Sequence, residues 1–149
     1  MSKYYSGKYR PKFPNKYKGD VKNICYRSLW ERQVFKWCDE NSDVKYWSSE
    51  ETVVPYICKT DGKPHRYFVD LYVEFVSGQR YLIEIKPKKQ TIEPKPQSRK
   101  TKKYITEVLT YVKNVSKWEA AHEYCLDNGM TFEVWHEDTL KSLGIRLLT

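Results

Sequence analysis

Five stretches of the chain read acid, any residue, lysine, and one of them lies inside an apolar run: Glu84-Ile85-Lys86, within Tyr81-Leu82-Ile83-Glu84-Ile85-Lys86-Pro87. The other four are Asp20-Val21-Lys22, Asp43-Val44-Lys45, Asp61-Gly62-Lys63 and Glu93-Pro94-Lys95. They sit beside turn formers or in polar sequence, where solvation accounts for a charged pair. A carboxylate in an apolar strand needs a partner or a task. Just upstream, a second apolar run from Phe68 to Phe75 carries Asp70, and Ser77-Gly78-Gln79-Arg80 reads as the hairpin loop between the two. Carboxylates on neighbouring strands can share a divalent cation, and an ammonium beside them can neutralise charge that builds up on an anionic substrate. Asp70, Glu84 and Lys86 are therefore a candidate metal site with a lysine beside it.

Whether these groups meet depends on register. Side chains alternate faces along a strand, so Val69, Leu71, Val73 and Phe75 are expected on one face and Asp70, Tyr72 and Glu74 on the other. In the second strand Tyr81, Ile83 and Ile85 oppose Leu82, Glu84 and Lys86. The acids share a face only with an odd loop or a bulge. A three-residue loop, Ser77-Gly78-Gln79, sets Asp70 opposite Lys86 and Tyr72 opposite Glu84, with the two acids on a diagonal of about 7 Å.

The elements that must carry these strands are legible in outline. Ser28-Leu29-Trp30-Glu31 has the form of a capping box and opens a helix to about residue 40. Thr52 to Cys58 reads as a strand, with Pro55 arguing for an edge or bulge. The turn Thr60 to Pro64 and the two acid-bearing strands follow. Pro87 to Pro96 reads as loop, and helical spacing begins at Tyr104. A second capping box, Ser116-Lys117-Trp118-Glu119, predicts that this helix ends near 114 and that another runs to Asn128-Gly129. Thr131 to His136 is a last strand, and a short helix closes the chain.

The net charge of +8 on 149 residues is segregated. Residues 1–20 hold six basic side chains and one acid, residues 86–103 eight and one, so these two segments carry more than the whole surplus. Such clustering suits a polyanion, with nucleic acid first, and neither segment has the apolar face of a membrane-surface helix. Lys88, Lys89, Arg99, Lys100, Lys102 and Lys103 start beside the proposed site and are candidate contacts to backbone phosphates. Residues 1–20, rich in Lys, Arg and Tyr with Pro11 and Pro14, read as an arm ahead of one domain at 21–149. The cysteines at 25, 38, 58 and 125 show no Cys-x-x-Cys spacing, which argues against a zinc knuckle and for reduced thiols. His65, His122 and His136 are scattered and read as structural. No signal peptide or membrane-length apolar stretch is present, so an intracellular site of action or assembly is expected.

The order helix, three strands, helices, strand, with Glu31 on the first helix, Asp70 on the second strand and Glu84-Ile85-Lys86 on the third, resembles the PD-(D/E)xK nuclease superfamily. Val69 stands where that name has proline, a position that is not a ligand. The helix start and the acid-bearing strands also resemble TnsA-type transposase endonucleases. The arm from Tyr4 to Tyr17, Arg27-Ser28-Leu29-Trp30-Glu31 and Leu82-Ile83-Glu84-Ile85-Lys86-Pro87 resemble the head-completion nuclease family of T-even tailed phages over essentially the whole chain.

The resemblance implies an α/β fold with a restriction-endonuclease-like core, a central mixed four-stranded sheet flanked by helices. It implies a Mg2+-dependent deoxyribonuclease, with Mn2+ as substitute, in which Asp70, Glu84 and the Ile85 carbonyl hold the metal, Lys86 serves the water or the phosphate, and Glu31 holds a second metal or orients a water. It further implies action on packaged double-stranded DNA ends, with phage head, portal or neck proteins as partners, in the virion and in the host cytoplasm during assembly. Two rivals stand beside this reading. One is a junction-resolving nuclease of the same fold, and the other a non-catalytic head-completion protein that binds DNA or portal.

Overall fold

The computed structural model describes residues 6–148, so Lys3, Tyr4 and Tyr5 of the expected arm lie outside the described residues. A short pair, β1 (Gly7–Lys8) and β2 (Cys25–Tyr26), precedes helix α1 (Leu29–Glu40). The Ser28 hydroxyl accepts the Glu31 N–H at 3.2 Å and caps α1, and the stripe Trp30, Val34, Phe35 and Cys38 buries its inner side. Next come β3 (Val44–Ser49), β4 (Val53–Ile57), β5 (Pro64–Phe68), β6 (Leu71–Phe75) and β7 (Arg80–Ile85), then α2 (Lys102–Asp127), β8 (Thr131–Trp135) and α3 (Glu137–Ser142).

The result is an α/β architecture around a mixed four-stranded sheet ordered β3-β6-β7-β8, antiparallel except for the parallel β7–β8 pair. Both faces are covered. Leu71, Val73, Ile83 and Ile85 pack with α1, Trp47 and Leu140 of α3 on one side, while Leu82 packs with Ala121 and Cys125 of α2 and with the β4–β5 hairpin on the other. Among the described residues no helix is long and apolar enough to cross a membrane.

Three expectations about the strands and helices need correction. The first strand of the sheet is Val44–Ser49, whereas Thr52 to Cys58 supplies β4, which pairs only with β5 in a separate hairpin. β3 escapes pattern reading because Trp47, Ser48 and Ser49 are all buried and a register shift interrupts it between Val44 and Tyr46, so nothing alternates. Secondly, Phe68 to Phe75 is not one strand. The chain bends at Val69-Asp70, and Val69 packs on the α2 side of the sheet while Leu71 packs on the α1 side.

The third correction concerns α2, which is continuous through Ser116. That hydroxyl donates to the Val112 carbonyl at 3.0 Å and accepts the Lys59 N–H at 3.2 Å, so it serves the helix interior and the hairpin instead of capping a new start. Thr101 is the N-cap, accepting the Tyr104 N–H at 3.1 Å.

The stretch read as a separate arm lies, over its described residues, along α1 and β3. Tyr17 is buried with its ring edge-on to Trp47 at 4.8 Å, and Lys18 donates its N–H to the Trp47 carbonyl.

Candidate active site

The hairpin loop is Val76-Ser77-Gly78, one residue earlier than the sequence suggests. Phe75 and Gln79 close it, with Phe75 N–H to Gln79 O at 2.9 Å, and Gly78 takes φ of +94°. The loop stays odd, so within β6 and β7 the faces are as expected, but the register moves by two: Leu71 pairs with Ile83 and Tyr72 with Leu82. One step further along that register Asp70 stands level with Glu84, whereas the expected pairing set Asp70 against Lys86. The bend before β6 leaves Asp70 beside the end of β7, where its Oδ2 accepts the Ile85 N–H at 2.8 Å. An extended residue directs its N–H and C=O to the same side, so the Ile85 carbonyl shares the direction of Asp70.

Glu84 is buried, 5% exposed, and each carboxylate oxygen has a partner. Oε2 accepts the Tyr67 hydroxyl at 2.7 Å, and Oε1 lies 3.7 Å from the Lys86 ammonium. Burial first, then the charges of Glu84 and Glu31, push the Asp70 carboxyl well above the usual carboxylate range, and the Ile85 N–H opposes this. Glu31, on the first turn of α1, accepts the Arg27 N–H at 3.2 Å. Burial raises its pKa to about 6, and the charges of Glu50 and Glu84 add to the rise. Three carboxylates from α1, the β5–β6 bend and β7 thus share one electrostatic neighbourhood.

Two of its members left no trace in the sequence pattern. Tyr67, on β5, reads as a core aromatic, yet its hydroxyl fixes Glu84. Glu50 follows β3 with φ of +55°, an uncommon conformation for a residue bearing a Cβ. Its N–H reaches the Asp70 carbonyl at 3.3 Å, and its carboxylate pairs with Arg27 at 3.0 Å. Nothing in the residue type foretells that geometry.

The basic candidates divide. Lys88 is engaged: its N–H donates to Glu137 at 2.6 Å and its ammonium pairs with Asp138 at 3.1 Å. Lys89 lines a groove of about 700 Å³ between the 88–95 segment and α2. Arg99, Lys100, Lys102 and Lys103 are exposed around the start of α2, whose first turn holds no acid.

A separate group sits at the tip of the β4–β5 hairpin. Cys58, Asp61 and His65 offer ligand atoms within 4.8 Å of one another and could hold a metal ion. Each also has a partner within the turn: the Cys58 thiol meets the Thr60 hydroxyl at 3.0 Å, and Asp61 takes the Lys63 N–H and the His65 ring. A search for paired cysteines passes over this Cys-x-x-Asp-x-x-x-His spacing. All four cysteines are free thiols, only Cys25 being exposed.

The model of the family described as "TnsA-like endonuclease N terminal" matches residues 41–137, which include Asp70, Glu84 and Lys86 and leave out Glu31. The chain belongs to this endonuclease family. It is also similar to the "Head completion nuclease" of Enterobacteria phage T4, with 44% identity over 146 residues, covering 95% of this chain and 97% of that protein. No solved structure matches it. The family membership and the relative's name agree with the nuclease character read from the acid pair.

Proposed function

We propose that this protein is a Mg2+-dependent DNA endonuclease with a restriction-endonuclease-like core, acting on packaged DNA ends while a phage head is completed. The observation that carries the reading is the meeting of Asp70 and Glu84 at the end of β7, where Asp70 accepts the Ile85 N–H at 2.8 Å and feels the charge of Glu84, whose Oε1 lies 3.7 Å from the Lys86 ammonium. The donor set fits the metal: hard oxygens from two carboxylates, supplemented by the Ile85 carbonyl, are what Mg2+ and Mn2+ prefer. Crowding fits as well: burial first, and then the charges of Glu84 and Glu31, raise the Asp70 pKa, and a divalent cation held there would favour the ionised form.

A magnesium ion held by Asp70, Glu84 and the Ile85 carbonyl would supply a bound water of lowered pKa and positive charge against the phosphate. The chain's own residues do the rest. Glu31, with a pKa of about 6, can be ionised near neutrality and still accept a proton, which suits it to take one from the attacking water. As the water oxygen bonds to phosphorus, the ester P–O bond opposite breaks and its oxygen leaves to be protonated from solvent. Lys86 presents its charge to the phosphate oxygens, where negative charge grows on the way to the transition state.

Lys89, Arg99, Lys100, Lys102 and Lys103 are read as the grip on backbone phosphates. Lysines in the first turn of α2 oppose the helix dipole, a placement that makes sense if polyanionic DNA lies there. A role in completing a phage head is carried over from the name of the T4 relative, and contact with head, portal or neck proteins in the host cytoplasm extends that reading. The test is incubation of purified protein with linear, circular and branched DNA, in magnesium or EDTA. Cleavage in magnesium alone, abolished by Asp70→Asn and by Glu84→Gln, is expected. DNA binding without cleavage under any divalent cation would favour a non-catalytic head protein.

A further inference from the structure

α2 buries the stripe Ala121 and Cys125 against the sheet, and one turn before Ala121 the same stripe presents Lys117. An apolar residue is the expected occupant. The lysine is only partly exposed, and its ammonium lies 5.5 Å from the centroid of the Tyr67 ring, the residue whose hydroxyl holds Glu84. Long lysines at core margins ordinarily carry their ammonium out to water. This one instead stays over an aromatic face, and among the described residues no carboxylate comes within 4 Å of it.

We infer that Lys117 is a second phosphate-contacting cation of the active site, supplied by α2 where Lys86 follows directly on β7, and that it binds a non-bridging oxygen of the scissile phosphate in a DNA strand. The inference rests on the proposed nuclease reading and adds a residue to it. The cation–π contact with Tyr67 holds the ammonium in place, yet offsets only part of what burial costs a charge. Burial lowers the Lys117 pKa, the neighbouring Lys113 and Lys86 lower it further, and Glu84 and Asp70 oppose. An anion arriving between Lys86 and Lys117 satisfies both, and the anion that this site receives is a phosphodiester. Gripping it from sheet and helix at once also fixes its orientation to the attacking water.

The experiment compares wild type, Lys117→Met, Lys117→Arg and Asp70→Asn for cleavage of linear duplex DNA in magnesium, with kcat and KM separated and folding followed by thermal melting. Methionine keeps the hydrocarbon stem over Tyr67 and removes the charge. It should lower kcat about 100-fold and leave KM within about threefold, because many basic residues share DNA affinity. Arginine should recover a substantial part of kcat. Should the Met variant fail to fold, Lys117→Gln replaces it in the same comparison. A Met or Gln variant with wild-type kcat, or an Arg variant no better than it, overturns the role of Lys117 while wild-type cleavage and an inert Asp70→Asn leave the nuclease reading standing. A wild type that cleaves nothing removes that reading itself, and with it the basis for the inference.

Discussion

At the scale of single residues, the site is a set of acids kept close at an electrostatic cost. Tyr67 is the clearest positioning residue, since its hydroxyl fixes one oxygen of Glu84 and leaves the other beside Lys86. Tyr67→Phe retains the ring and removes only that bond. On the proposed mechanism, turnover should fall about 10- to 100-fold and more magnesium should be needed for half-maximal rate, as when an outer partner of a metal ligand is lost. A magnesium titration of the cleavage rate checks this, and an unchanged curve would show that Glu84 holds its place unaided. Glu31 gives a test that needs no DNA. Its folded pKa is about 6 against an ordinary 4.5, so the folded protein binds more protons than the unfolded chain between those values. Stability from this group therefore falls as pH rises through that window, and the penalty is complete above it. In EDTA, Glu31→Gln should melt above wild type at pH 7.5, by the equivalent of about 1–2 kcal/mol, and the gap should close near pH 4.5.

At the scale of elements, the acids meet because a loop has odd length. Gly78 sets that length through its positive φ, and a Cβ there would touch nothing within 4 Å, so Gly78→Ala isolates the backbone cost. A loss of about 1–2 kcal/mol is expected in urea unfolding, and an unaffected midpoint would mean that the loop does not need this conformation. The parity was readable from Ser77-Gly78-Gln79, although the loop begins at Val76, whose N–H reaches across to Asp43. The capped start of α1 and the run through Glu84-Ile85-Lys86 were readable for the same reason: local chemistry decides them. β3 was not, because a strand with adjacent buried residues shows no period. The join at Ser116 was misread because a hydroxyl that caps one helix can equally bond back inside another. Tyr67 and Glu50 owe their roles to the bend at Val69-Asp70 and to a backbone turn after β3, both set by tertiary packing.

At the scale of the whole molecule, the question is what the N-terminal segment does for the rest. Its basic and aromatic composition reads as an arm ahead of the domain, whereas its described residues are bonded into α1 and β3. Asp39, fully buried on α1, accepts the Tyr9 hydroxyl at 2.8 Å and the N–H groups of Lys12 and Phe13 at 2.6 and 3.0 Å. Lys16 donates to the carbonyls of Asp39 and Asn41, and the Tyr17 hydroxyl bonds both backbone groups of Ser49, next to Glu50. The segment thus ties α1, which bears Glu31, to the end of β3, which leads to the neighbour of Asp70. Deleting residues 1–19 would strip a buried carboxylate of its partners and uncover Phe35 and Trp47, against which the Tyr9 and Tyr17 rings pack, a loss of roughly 5 kcal/mol. The melting temperature should fall by on the order of 10–20 °C, with Asp39→Ala showing a smaller drop in the same direction. Lys8, Arg10 and Lys12 stay exposed on the strap, so neutralising those three should leave melting unchanged even if DNA affinity declines. A truncated protein that melts with wild type would show that the segment adds nothing to the fold and leave the alignment of Glu31 with Asp70 to α1 and the sheet alone.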